Sequence, residues 1–439
     1  MKKLVILLVV ALEAFVSSVS FASQPLVDKH ADSLIANHKF VFIDGKPSSF
    51  ETQQYVDSVR QVISAFYYDQ FRHFQDPEAP YFLFMSKDAQ LAMGIGGAVR
   101  MRGYFDWGGA IPSPGFAPYL IPMTPDPTAN KQFNTTPAGT CIYFRVIGRN
   151  KVLGSYQLYI EANFNGYAAR DFHLKKAYAI INDFTVGYAS STFSDPAAVP
   201  PTVDAQGPNN KISPTRVLLR YMPAFGKFSF GVSAETPDTE VAVDGVNTAK
   251  VKSWIPEGAA LLQYQWAKGQ HVRLAGIVRN LAYRDIAAQK NYNHTGWGLQ
   301  LSSVAHPISP LTTYATVSYG HGYQQLGGDL QIGNYDLVAD PETPGRLYAP
   351  AGFGWCLGIQ YNFRPNLFVS VSASQSRYLP AKQVDPNDYK YGFFGAANVF
   401  WNLTPRMQVA AEFDLGMRRN FSGEKKFARR IGAMCQFSF

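Results

Sequence analysis

The chain is poor in cysteine, in charge and in long apolar runs, and each shortage removes a class of protein. Cys141, Cys356 and Cys435 are the only cysteines in 439 residues, too few and too scattered for a disulfide framework. They read as small apolar strand residues. Charged residues make up 16%, and the net charge of +8 comes with no basic cluster or nucleic-acid module, so no nucleic-acid partner is expected. Beyond Leu12 no apolar stretch approaches the roughly 20 residues that a membrane helix needs. HExxH, G-x-S-x-G and P-loop patterns are missing, and "GIGGAVRMRG" opens a strand rather than a helix, against a dinucleotide site. The eight histidines include no pair at metal-ligand spacing. No metal, no cofactor and no catalytic residues are expected.

What is abundant is aromatic: 25 Tyr and 32 Phe, a richness that suits strands and interfacial girdles. Lys2 and Lys3, the apolar Leu4 to Leu12, and Ser20-Phe21-Ala22 have the layout of a cleaved signal peptide over 1–22, which implies export. Residues 23–88 read as an N-terminal periplasmic segment. Ser48 and Glu51 stand at capping-box spacing. Val56, Val59, Ile63, Phe66, Tyr67 and Phe71 predict an amphipathic helix from Phe50 to Phe74. That helix either packs on a barrel mouth or pairs with copies of itself.

From Ala89 the period changes to two. In "SYQLYIEANFN", Ser155, Gln157, Tyr159, Glu161 and Asn163 alternate with Tyr156, Leu158, Ile160, Ala162 and Phe164. About sixteen such segments run from 89–106 to 427–439. If residue 89 starts on the periplasmic side, tight turns such as "INDF", "AKGQ" and "NLTPR" fall there. The longer links, 107–139, 191–213, 237–256 and 324–351, then fall outside. Even strand number with loops sorted in this way is the pattern of an outer-membrane barrel. The expected fold is therefore all-β, a 16-stranded antiparallel transmembrane barrel over 89–439, integral to the outer membrane. Its last strand, ending in Phe439, would engage the barrel-assembly machinery. Lipid and lipopolysaccharide would surround it.

Parity then assigns faces. Ile95, Val99, Met101, Phe105 and Trp107 point to lipid, while Arg100, Arg102, Tyr104 and Asp106 point inward. The same rule turns Arg145, Arg149, Arg216, Arg220, Arg273, Arg279 and Arg430 inward, with Lys175 a further candidate. An arginine facing lipid at the midplane costs about 2–4 kcal/mol, which agrees with this parity. Such a wall either lowers the entry cost for anions or is spent on bridges to Asp106, Glu161, Glu235, Glu412 and Asp414. The Pro-rich loop 190–214, with Asp195 and Asp204, either folds in as a constriction or lies outside.

"APYFLFMSKDAQLAMGIGGAVRMRGYFDWGG", "GSYQLYIEANF", "DFHLKKAYAIINDFTVGYASSTFSDPAAVPPTVDAQGP" and "RRIGAMCQFSF" resemble the DcaP-like outer-membrane porin family, in the version associated with Bacteroides-type bacteria. The resemblance covers about 75–439. It implies a homotrimer of sixteen-stranded barrels with narrow, anion-preferring channels for small solutes such as dicarboxylates. Only Arg100, Arg102 and the Pro-rich loop are matched to it as site features. Better-known members carry a longer N-terminal coiled coil, where this chain offers one short helix. The reading from another class is a plugged structural or adhesive barrel that acts through its outer loops.

Overall fold

A computed structural model describes residues 39–45, 53–111, 113–124, 126–164, 171–237, 241 and 243–439. The expected signal peptide and the Ser48–Glu51 capping box lie outside the described residues. Sixteen antiparallel strands form a closed barrel. They are β1 (Leu91–Trp107), β2 (Cys141–Asn150), β3 (Gly154–Phe164), β4 (Phe172–Ile181), β5 (Phe184–Ser190) and β6 (Thr215–Tyr221). Next come β7 (Phe228–Glu235), β8 (Glu257–Ala267), β9 (Gln270–Asp285), β10 (Lys290–Ile308) and β11 (Leu311–His321). The circuit ends with β12 (Ala351–Arg364), β13 (Leu367–Leu379), β14 (Tyr389–Thr404), β15 (Met407–Asn420) and β16 (Lys425–Ser438).

Each strand pairs with its neighbour in sequence, and β16 closes on β1 with Arg430 opposite Asp106 and Met434 opposite Arg102. Closure leaves no barrel strand with an open edge, which the absence of water in a bilayer core demands. The alternation seen in sequence becomes two unlike surfaces. Ile95, Val99, Met101, Leu158, Ile160, Val217, Leu219 and Leu274 are exposed on the outer wall, forming an apolar band. Aromatics concentrate at its two rims. Phe184 packs on Tyr221 and Phe228 on Tyr264 near the tight turns, while Trp107 meets Phe105 and Phe413 near the long loops. Such girdles sit where the headgroups meet the hydrocarbon.

Among the described residues one helix, α1 (Gln53–Tyr67), precedes the barrel. Tyr55, Val59, Ile63 and Phe66 recur on one face and bury against Leu83, Met85, Ala89 and Ala92. Ala92 and the adjoining Ile147 have inward parity, so α1 packs across the inner face of the barrel at its tight-turn end. The helix ends at Tyr67 rather than Phe74. The Arg145 guanidinium donates to the Phe66 carbonyl (2.6 Å), meeting a helix C-terminus with positive charge. Residues 68–80 then enter the interior as an irregular strap. The chain returns through Phe82–Met85, which pairs antiparallel with the start of β1 and parallel with Lys39–Phe42.

Candidate functional site: the barrel interior

Each strand aims alternate residues inward, and four insertions meet them. These are the strap 68–80 and the links β1–β2, β5–β6 and β11–β12. The wall is covered as a result: Arg100, Arg273, Ser374, Phe400 and Glu412, from five strands, are all buried.

The arginines fall into two groups by the partner that satisfies them. In the first, carboxylates stand beside them. Arg279 bridges Glu257 (2.9 Å) and Asp336 (2.5 Å), Arg430 bridges Asp106 (2.6 Å) and Asp204 (3.1 Å), and Arg273 Nη1 lies 3.4 Å from Asp195 while its hydrogen bonds go to Gln263 and the Ser194 carbonyl. In the second group the acceptors are neutral. Arg100 donates to the Gln75 carbonyl (2.8 Å) and to Gln436 (2.7 Å). Arg102 donates to the Val203 carbonyl (2.6 Å), to Gln75 Oε1 (2.7 Å) and to the Ala138 carbonyl. Arg145 holds the carbonyls of Phe66 and Tyr68, and Arg220 lies 4.0 Å above the Phe71 ring while donating to the Ser190 carbonyl. Carbonyl dipoles and ring faces satisfy these four cations, and among the described residues none of the four makes a direct ion pair.

Of the other expected wall residues, Arg216 is buried on the inward face of β6. Arg149 has the same parity as Arg145 but sits exposed at the tight-turn end of β2, outside the arginine cluster. Lys175 does point inward, and Lys176 joins it. A register shift between Glu161 and Ala162 opposes Glu161 to Lys176 and Ala162 to Leu174. A bulge of this kind lets two successive side chains reach the same face.

The loop between β5 and β6 crosses the interior. Asp195 meets His271 (2.8 Å) and Ser302 (2.5 Å) beside Arg273. The carbonyl of Pro201 accepts from Ser370 and Asn398. Both Asp204 carboxylate oxygens accept the Phe116 amide, while Glu412 accepts the amides of Val203 and Asp204. Asn209 reaches Ser374 and Asp329. Glycines on β12 make the room: a Cβ on Gly358 would stand 2.5 Å from Pro200, and one on Gly354 would overlap Asn210.

The strap completes the interior, and sequence reasoning missed it. Phe74 contacts Phe368 and Phe400 edge-on (5.6 and 5.2 Å), and Phe71 packs with Phe193 and Ile212. Asp76 binds Lys175 (2.7 Å) and Lys176 (3.3 Å), and Tyr178 donates to Asp69 (3.3 Å). Burial works against the Asp76 carboxylate, yet Lys175 and Lys176 outweigh it and hold its pKa well below the ordinary value. Burial, reinforced by Lys211, holds His73 far below the usual imidazole range, so it is neutral at pH 7. Lys211, from the crossing loop, donates to the Gln206 carbonyl at 3.4 Å, and burial first pushes its ammonium down to about 8. Pro77 and Pro80 mark only the end of the strap as non-helical, and the spacing of Phe71 and Phe74 does not set them apart from α1.

A closed sixteen-stranded antiparallel barrel whose interior is crossed by inserts has the fold of the porins. Solved structures similar to it include the outer membrane channel DcaP of Acinetobacter baumannii, with a TM-score of 0.69 at 19% identity over 81% of this chain and 99% of that one. An anion-selective porin from Comamonas acidovorans matches with a TM-score of 0.52 at 10% identity, over 80% of this chain and 100% of that one. OmpT, an outer membrane protein of Vibrio cholerae, reaches 0.50 at 10% identity over 80% and 98%. At these identities the likeness is one of fold. No family model and no curated protein matches the chain.

Proposed function

We propose that the chain is a passive outer-membrane channel, trimeric, that passes small anions of dicarboxylate type along the arginine-rich wall. The observation that carries this reading is the second arginine group. Arg100, Arg102, Arg145 and Arg220 are solvated by carbonyls, amides and rings, so their charge is available to lower the barrier for an anion in a low-dielectric lumen. Lys211, which donates to the Gln206 carbonyl, adds to it. The barrel fold shared with an outer membrane channel and an anion-selective porin supports the reading. Direction of flow is set by the solute gradient, and no bond is made or broken.

A second reading, a closed barrel working through its outer loops, is favoured by the burial of the inner wall beneath the strap and the crossing loop. Reconstitution in a planar bilayer under a KCl gradient separates the two. An anion channel gives current steps in groups of three with a reversal potential on the chloride side. Folded protein that gives no steps supports the closed barrel.

A further inference from the structure

The strap places a carboxylate where an anion channel would bind one. Asp76 sits between the Nζ atoms of Lys175 and Lys176, at 2.7 and 3.3 Å, and its own neighbour Gln75 is gripped by Arg100 and Arg102. Lys176 is buried on the inward face of β4, and the β3–β4 bulge that turns both lysines inward has no other evident use. Glu161 shares Lys175 at 3.0 Å, so it leaves the Lys176 ammonium to Asp76. Beside Asp76 a cavity of about 10 Å³, the room of about one water, is bounded by Lys176, Arg145 and Arg72 on one side of the charge balance and by Asp69 and Glu78 on the other. The strap's backbone is held as well as its side chains: Arg145 holds the carbonyls of Phe66 and Tyr68, Arg273 that of Gln70, and Arg406 that of Ala79.

We propose that Lys175 and Lys176 form a carboxylate-binding site on the solute path, which Asp76 of the strap occupies in cis and from which free carboxylates must displace it. The proposal rests on the anion-channel reading, whose solutes it narrows to those that match an aspartate side chain in charge and size. A tethered ligand competes at an effective concentration of order millimolar, so weakly bound solutes enter only when abundant.

The test uses the full chain, wild type against Asp76→Asn, with succinate as the probe. Each protein is first checked for folding by its heat-dependent gel shift. In bilayers, Asp76→Asn should lower the succinate concentration that blocks chloride current by about tenfold. Adding Lys176→Met to Asp76→Asn should abolish that gain. Succinate titration calorimetry of the detergent-solubilised protein should show the same order of affinities without needing conductance. If the strap is only a steric obstacle, Asp76→Asn will raise flux of neutral glycerol and leave succinate affinity unchanged, which overturns the proposal. A wild type that prefers potassium overturns the anion-channel reading instead. In that case equal calorimetric affinity of wild type and Asp76→Asn removes the carboxylate site as well.

Discussion

At the residue scale, what an arginine does in this interior depends on the group that satisfies it. Arg279 lies between Glu257 and Asp336 with all three side chains fully buried. Replacing it with Met strands two carboxylates, and removing one partner of a buried ion network costs about 3–5 kcal/mol. Arg279→Met should therefore lower the urea midpoint of unfolding markedly, with little change in ion preference. Arg100 and Arg102 should behave in the opposite way. Their acceptors are amides and carbonyls, so the double substitution Arg100→Gln, Arg102→Gln leaves no buried carboxylate unpaired. It should shift the reversal potential toward zero while the gel-shift temperature stays near wild type. An unchanged permeability ratio removes both from the path.

Lys211 gives the same wall a pH dependence. Burial is the main cause of its lowered pKa, Lys175 and Arg102 add to it, and Asp76 and Asp204 oppose it. Since the pKa falls to about 8 from 10.5, the charged form predominates at pH 7 and the neutral form at pH 9. Anion preference should decline across that interval, and the decline should be smaller in Lys211→Met. The sign for stability follows from the same shift. Carrying the charge penalises the folded state in full below about pH 8, and that penalty fades as the pH rises toward 10.5.

At the scale of elements, the crossing loop is seated on glycines, so side chains added there should unseat it. Gly358→Val places atoms where Pro200 packs, with the barrel hydrogen bonds of β12 untouched. We expect a larger or noisier single-channel current from Gly358→Val, and a similar change on deleting 196–208. Identical currents in all three proteins place the loop off the path. The strands themselves were legible in sequence because lipid on one side and a polar interior on the other enforce strict alternation. "RMQVAAEFDLGM" reads correctly as β15, with Phe413 outward and Glu412 and Asp414 buried inside. The strap was not legible. Phe71 and Phe74 continue the helical spacing of α1, yet both serve the lumen, one beneath Arg220 and the other against Phe368. Nor can parity foresee pairings set by loops, such as Arg430 with Asp204, 226 residues apart. It showed that arginines turn inward but not which of them a carboxylate would meet.

At the scale of the whole molecule, two designs coexist. A closed barrel with an apolar outer band and aromatic rims provides a hole, and inserts from both ends fill it. The outer-loop inserts bring carboxylates to the arginines that need them, through Asp195, Asp204 and Asp336. The strap brings carbonyls to Arg100 and Arg145, leaving them charge that no ion pair offsets among the described residues, and a carboxylate, Asp76, to Lys175 and Lys176. The central claim is that this residual charge governs a conducting path. Single-channel recording under a KCl gradient tests it most directly. The account predicts current steps in groups of three that reverse on the chloride side, and a weaker chloride preference when Arg100 and Arg102 are neutral. A reversal potential on the potassium side, or silence from folded protein, would contradict it.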